Sequence, residues 1–418
     1  MDTVLNIQFN IDNVGMIFFV LGIVVFLCAG IFSFEYMKHE GHHGRYAIFY
    51  IIAFLVYSAL CFSENLITYY LFFELLTLST FPLVLHNGSK EANMAGLKYL
   101  LYSLCGAYMV LFGLYFVYKN GTTLAFIEGG VFKPEMLSQN AGLLQICSML
   151  MIFGFGVKAG MFPMHAWLPT AHPVAPAPAS AVLSAVIVKA GVLGIIRTVY
   201  YIFGIEFLKG TWVQKVWISV TLLTVFMGSM LAYREDVLKK RLAYSTVSQV
   251  SYILFGLAMM SDISYKGGLL HVLAHGFIKC GLFLVAGAII YKTGKTKVSE
   301  MKGIGKQMPL TIWCFTILSL GLIGIPPTSG FASKWYLATG ALSTGMSFFS
   351  WFGPMILLVS ALLTAGYLLP LSINGFLPGS EFDLEELKKC EPNMLMLVPI
   401  LILTILSVVL GIFPGIIG

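Results

Sequence analysis

Seven side chains in this sequence could hold or pass charge from apolar surroundings: Glu74, Lys158, Lys189, His271, His275, Lys279 and Lys334. Lys158 stands in LLQICSMLMIFGFGVKAGMF and Lys189 in SAVLSAVIVKAGVLGIIR. An ammonium at the centre of a membrane helix costs roughly 2.5 to 3.5 kcal/mol on insertion scales, so each lysine asks for a polar interior and a purpose. Glu74, in NLITYYLFFELLTLSTFPL, is the one deeply placed acid and is the expected counter-charge to Lys158. Desolvation disfavours an ammonium and a nearby carboxylate favours it, so a lysine held between the two can be switched by small movements and can relay protons. The structural alternative is an ion pair that only ties two helices together.

In GGLLHVLAHGFIKCGLFLVAGAIIY, His271, His275 and Lys279 recur at i, i+4 and i+8, one face of a helix. Imidazole titrates near neutral pH and hands protons on through water, so the row reads as a conduction path, with structural hydrogen bonding as the alternative. The two histidines have helical ligand spacing, but no general-base glutamate lies between them and no third ligand is suggested, so no metal site is expected. Lys334 follows GIPPTSGF and precedes Trp335 and Tyr336, so it either ends the path or snorkels to an interface. His165 and His172 would line an exit or bond freed backbone. Arg197, Lys98 and Lys215 lie near span ends, where snorkelling or headgroup contact is expected.

The elements that must position these groups are membrane helices. With 58% hydrophobic and 11% charged residues over 418 positions, the chain has too little polar surface to cover a soluble globule. The fold class expected is an all-α polytopic membrane protein. Hydropathy gives about twelve spans: 14–34, 46–62, 64–87, 93–118, 143–167, 180–203, 212–233, 241–261, 267–291, 310–340, 351–374 and 393–415. A surface helix is expected in FDLEELKKC (382–390). Alternate loops, starting with 35–45, hold fifteen Lys and Arg against four in the opposite set, which predicts a cytoplasmic basic face and both termini outside. The net charge of +6 is therefore topological and not a nucleic-acid footprint. No removable signal peptide is read in MDTVLNIQFNIDNVG. Six of the seven cysteines stand in apolar runs with no CxxC pair, and no phosphate loop, dinucleotide fingerprint or HExxH site occurs, so no cofactor is expected.

Two spans are interrupted, by GMFPMHAWLP and by GLIGIPPTSGF, each with a lysine beside the break. Proline removes a backbone donor, so a break at membrane depth leaves polar groups that only a protein-lined or hydrated cavity can satisfy. Breaks at matching places suggest two inverted five-helix repeats with discontinuous helices. The expected division is 1–45, an N-terminal helix; 46–203 and 204–374, the repeats; and 375–418, a loop and last helix.

The motifs VKAGMFPMHAWLPTAHPVAPAPASAVLSAVIVKAGVLGIIR, REDVLKKRLAYSTVSQVSYILFGLA, HVLAHGFIKCGLFLVAG and GIPPTSGFASKWYL, in this order, resemble the antiporter-like subunits of respiratory complex I, membrane-bound hydrogenases and Mrp sodium/proton antiporters. The resemblance implies that Glu74 is the family's fifth-helix acid, Lys158 the lysine of the broken seventh helix and Lys189 the eighth-helix lysine. It also implies that His271, His275 and Lys279 form the eleventh-helix row, and Lys334 the exit-side position of the broken twelfth helix. Lysine there looks more like the Mrp large subunit and some complex I members. The early place of the acid makes the chain look shorter than the family by about two N-terminal helices. The expected function is an ion-translocating, non-redox subunit, moving H⁺ and in an Mrp-type assembly Na⁺, in an inner membrane beside other membrane subunits. A stand-alone secondary carrier and an inert structural spacer are the alternatives.

Overall fold

The computed structural model describes residues 6–379 and 388–417. The chain before the first break forms α1 (Asn13–Glu40), α2 (His43–Cys61), α3 (Leu66–Val84), α4 (Lys90–Asn120) and α5 (Ala141–Ala159). After it come α6 (Leu168–Val174), α7 (Ala177–Phe203), α8 (Trp212–Arg234), α9 (Leu238–Ala258) and α10 (Asp262–Thr293). The remainder is α11 (Pro309–Ile323), α12 (Ser329–Leu342), α13 (Ser347–Phe376) and α14 (Met394–Ile412). Ten helices among the described residues are long and apolar enough to cross a membrane. The more polar α9 and the α11–α12 pair fall where the sequence reading placed two further spans. The protein is an all-α, multi-pass membrane protein. The surface helix expected over 382–390 falls mainly outside the described residues.

Caps follow local chemistry. Asp12, Asn65 and Ser89 each accept a backbone N–H from the first turn of α1, α3 and α4. Helix α5 stops at Gly160 and α11 at Gly324, both with positive φ (77° and 94°), the left-handed region that glycine enters without a Cβ penalty. The groups freed at the first break are taken up by protein: the Trp167 indole donates to the Val157 carbonyl (2.8 Å), and Phe162 N–H donates to the Thr224 hydroxyl (3.2 Å). At the second break the Lys334 ammonium does the same work, donating to the carbonyls of Leu322 (2.6 Å) and Ile323 (3.0 Å).

The basic loops are knitted together on one face. Asn87 reaches the Val174 carbonyl (3.3 Å), Leu238 N–H bonds Thr296, and Val298 N–H bonds Asp236 (both 2.9 Å). Gly303 N–H bonds Asn374 (3.0 Å), and Cys390 N–H bonds Gln307 (2.8 Å). The poorly charged loops meet at the other end, where Glu64 N–H bonds Gln8 (3.0 Å), Leu66 N–H bonds Leu124 (2.9 Å) and Val131 N–H bonds Ile202 (2.9 Å). Two residues counted as loop charges differ from that expectation: Lys239 and Arg241 start α9 and are buried. Arg241 donates to the carbonyls of Glu235 (2.6 Å) and Tyr367 (2.7 Å).

Helix α7 is buried at every residue but Tyr200 and approaches α5 through glycine. A Cβ on Gly191 would lie 2.4 Å from the Phe155 carbonyl oxygen and 2.7 Å from Ala159 N, while one on Gly194 would strike the Phe155 ring. Backbone cannot yield as a side-chain tip does, so Gly191→Ala is expected to cost about 1–3 kcal/mol through overpacking. A lowered thermal midpoint in detergent would register it, and an unchanged midpoint would mean that α5 and α7 can separate freely.

Candidate functional site

Lys158 ends α5 at its glycine cap, with its side chain 1% exposed. Its Nζ donates to the Phe73 carbonyl (3.0 Å) and the Thr77 hydroxyl (2.6 Å), and it stands 4.1 Å from the centre of the Phe73 ring. All three contacts lie on α3, within one turn of Glu74. The carboxylate itself forms no ion pair with Lys158, and its Oε1 is buried without a hydrogen-bond partner. The direct pairing expected from the sequence is therefore corrected: Glu74 stands half-buried on the same helix as the lysine's cradle but beyond ion-pair distance of the ammonium. Successive side chains on a helix point about 100° apart, so adjacency to Phe73 in sequence does not give contact with what Phe73 holds.

Lys189 lies just after a π-helical stretch, Leu183–Ile187, in α7. The Lys189 ammonium donates to the Ser184 carbonyl, five residues back within that stretch (2.9 Å). The same Nζ donates to His275 Nδ1 of α10 at 2.5 Å. The Ser184 hydroxyl meets Thr246 of α9 (2.7 Å), so α7, α9 and α10 are joined at this level.

One turn further along α10, His271 lies between Gln249 Oε1 (Nε2, 3.2 Å) and the Ser333 hydroxyl (Nδ1, 2.8 Å). With Nε2–H donating to the amide oxygen, Nδ1 accepts from Ser333, whose single proton is shared with the Gly330 carbonyl (3.1 Å). Ser333 precedes Lys334, which bridges to the broken helix as described and holds its ammonium 4.8 Å from the centre of the Tyr252 ring. Its bonds to backbone carbonyls replace the snorkelling geometry that Trp335 and Tyr336 suggested. Lys279, on the same face as the histidines, donates to the Leu242 carbonyl (2.9 Å) and to the Ser245 hydroxyl of α9.

The structure thus brings together Lys189 with His275, His271 with the neighbour of Lys334, and Lys279 with α9. It leaves Lys158 linked to Lys189 only through the close α5–α7 contact at Gly191. Sequence reasoning missed the neutral partners: Thr77, Ser184, Ser245, Gln249, Tyr252 and Ser333. Their only signal is the density of Ser and Thr in otherwise apolar helices. It also misjudged Arg197, which is 2% exposed rather than interfacial. Both guanidinium arms bond Asp12, the N-cap of α1, and the group lies 4.8 and 4.9 Å from the Phe126 and Tyr201 ring centres. His172 is fully buried against Phe283 (4.7 Å between ring centres), with neither ring nitrogen bonded.

A multi-pass helical protein with lysines and histidines buried along its interior belongs to the class of polytopic membrane proteins that keep ionisable groups at membrane depth. The particular family is reached by comparison with known proteins. Residues 63–364 match the family described as "NADH:quinone oxidoreductase/Mrp antiporter, TM", and the chain belongs to it. Residues 1–47 match "NADH-Ubiquinone oxidoreductase (complex I), chain 5 N-terminus". The NADH-quinone oxidoreductase subunit N of Desulforudis audaxviator is 33% identical over 381 residues, covering 88% of this chain and 74% of that protein. A subunit of the Na(+)/H(+) antiporter of Bacillus subtilis is 29% identical over 356 residues, covering 84% and 70%. Among solved structures, a chain of the membrane-bound sulfane sulfur reductase, an archaeal respiratory membrane complex, superposes with a TM-score of 0.87 at 25% identity, covering 98% of this chain and 81% of that one.

Proposed function

We propose that this chain is a proton-translocating subunit of a larger complex I-related membrane assembly, with Na⁺ exchange as an added capacity in an Mrp-type setting. The observation that carries the reading is the bonding of the buried lysines. Lys158, Lys189, Lys279 and Lys334 each donate to neutral carbonyl, hydroxyl or imidazole acceptors, and none of the three ion pairs among the described residues includes them. A lysine whose sole task is structural gains most from a carboxylate. A lysine held by neutral acceptors keeps those bonds as an amine, because the amine still has two N–H groups, so it can lose and regain a proton without losing its place.

On this reading protons pass from the basic, cytoplasmic face toward Lys158, on through Lys189, His275 and His271, and leave by Lys334. Glu74 sets the field around Lys158. The two repeats, 46–203 and 204–374, each contribute one broken helix, and both termini lie outside an inner membrane. Other membrane subunits supply the driving force.

The test is Lys189→Ala in the intact assembly, reconstituted in liposomes with a pH-sensitive dye. Proton movement should fall by about tenfold or more, which corresponds to about 1.4 kcal/mol on the limiting step. Parental pumping by a normally assembled variant would refute the proposal.

A further inference from the structure

Helix α7 runs from the basic face, where Asn87 reaches the Val174 carbonyl just before it, to the poorly charged one, where Gly129 N–H bonds its Tyr200 carbonyl (3.1 Å). Lys189 stands midway, and Arg197 lies ~12 Å further toward the poorly charged end at the usual helical rise. A proton on Lys189 therefore has two directions open to it: sideways to His275, or on along α7 and out of the protein without entering the second repeat.

Tyr69 of α3 joins the two cations. Its hydroxyl donates to the carbonyl of Ala190, the residue after Lys189, and its ring stands edge-on to Phe126 with 6.2 Å between centres. The Arg197 guanidinium lies 4.8 Å from the centre of that same Phe126 ring and 4.9 Å from that of Tyr201. Beyond it comes Asp12, the N-cap of α1, with its side chain 35% exposed. The short way out from Lys189 thus meets a guanidinium before it meets a carboxylate.

Three properties set this cation apart from the buried lysines. A guanidinium keeps its charge where an amine can lose it, so it cannot serve in a relay. Arg197 is also the one buried cation held in an ion pair among the described residues: the other two pairs use Lys38 and Lys240, whose side chains are 62% and 39% exposed. Finally, the carboxylate it holds is occupied, since Asp12 takes both guanidinium arms and the Gly15 N–H, which makes it a poor collector for a proton arriving from Lys189. Like charges repel, and an arginine set in a transport pathway is an electrostatic barrier to protons.

We propose that Arg197 is an electrostatic stop at the poorly charged end of α7, whose fixed positive charge bars protons from leaving Lys189 in that direction and so commits them to His275 and the second repeat. The proposal rests on the proton-translocating reading above, in which Lys189 carries protons. Arg197 bonds none of the relay groups and acts through its charge, while Asp12 holds it in place. A structural clamp needs both partners, whereas a stop needs only the cation, and this separates the two roles.

The experiment uses the intact assembly sealed in liposomes without its driving reaction, imposes a potential with K⁺ and valinomycin, and reads passive proton movement with a pH-sensitive dye. Arg197→Met is compared with Asp12→Asn, with the neutral pair Arg197→Met/Asp12→Asn, and with that pair carrying Lys189→Ala as well; thermal melting reports assembly. Arg197→Met and the neutral pair should pass protons about tenfold faster than the parent, because the barrier is gone. Asp12→Asn should stay as tight as the parent although its melting falls, and adding Lys189→Ala should return the neutral pair to the parental rate. The neutral pair strands no charge and so remains informative where Arg197→Met does not assemble, and Asp12→Asn tests the stop by itself. The stop is refuted if the neutral pair assembles and stays tight, if Asp12→Asn leaks as freely as Arg197→Met, or if the leak persists without Lys189. In each of these cases the wider reading survives so long as Lys189→Ala loses driven pumping; if that variant pumps as the parent does, the wider reading itself fails.

Discussion

Lys158→Ala is expected to abolish most ion movement, lowering the rate by at least about tenfold, while leaving the assembly intact. The ammonium supplies the donors for the Phe73 carbonyl and the Thr77 hydroxyl, and it crosses from the end of α5 to α3 to reach them. Thr77 keeps its own contact with the Phe73 carbonyl (3.5 Å), so alanine leaves a small cavity and few stranded polar groups. The cost to stability should therefore be modest, whereas on the proposed path proton transfer through this site should be lost. Glu74→Gln provides the comparison. Because the carboxylate does not touch Lys158, the amide should slow transport by changing the field and leave the α3–α5 contact unaltered. Ion flux and melting measured on both variants check this. A Lys158→Ala assembly that pumps at the parental rate would remove Lys158 from the path.

The largest effect on stability is expected far from that path, at the ion pair of Arg197 with Asp12. Helix α1 begins at Asp12, whose carboxylate takes the Gly15 N–H (2.8 Å) and both guanidinium arms. Removing one partner of a buried pair costs about 3–5 kcal/mol, because the other charge is left uncompensated. The Asp12 side chain is 35% exposed, so water softens the loss and about 2–3 kcal/mol is expected for Asp12→Ala. Arg197→Met should cost less, since Asp12 can turn to water, and Asp12→Asn with Arg197→Met should recover part of the loss. Equal melting of all three and the parent would rule out the clamp.

The same contact gives a pH dependence. Burial disfavours the Asp12 carboxylate, but the Arg197 hydrogen bond and charge, with the Gly15 N–H, outweigh it and hold Asp12 below its ordinary 3.8. A group lowered on folding contributes stability that is fully present above its unfolded value and is lost as pH falls through the folded one. Melting should therefore weaken below about pH 4 in the parent and less steeply in Asp12→Asn.

The amino-acid sequence by itself determined that the chain crosses the membrane many times, which loops share a face, and where two helices break. These follow from local physics: the length of apolar runs against a hydrocarbon core of about 30 Å, the clustering of Lys and Arg, and proline's missing donor. It also determined that His271, His275 and Lys279 share one side of α10, because a straight helix repeats every 3.6 residues.

Only the tertiary structure decided what each charged group touches. Lys158 finds α3 from 85 residues away, Lys189 finds His275 from 86, and Arg197 finds Asp12 from 185. The rotation of each helix about its axis selects among several possible partners, and in α7 the π-helical stretches Leu183–Ile187 and Arg197–Phe203 shift that rotation by inserting extra residues per turn. That is why Glu74, the obvious partner in the sequence, stands beside the Lys158 cradle rather than in it, and why Arg197, which reads as an interfacial charge, is buried in a clamp.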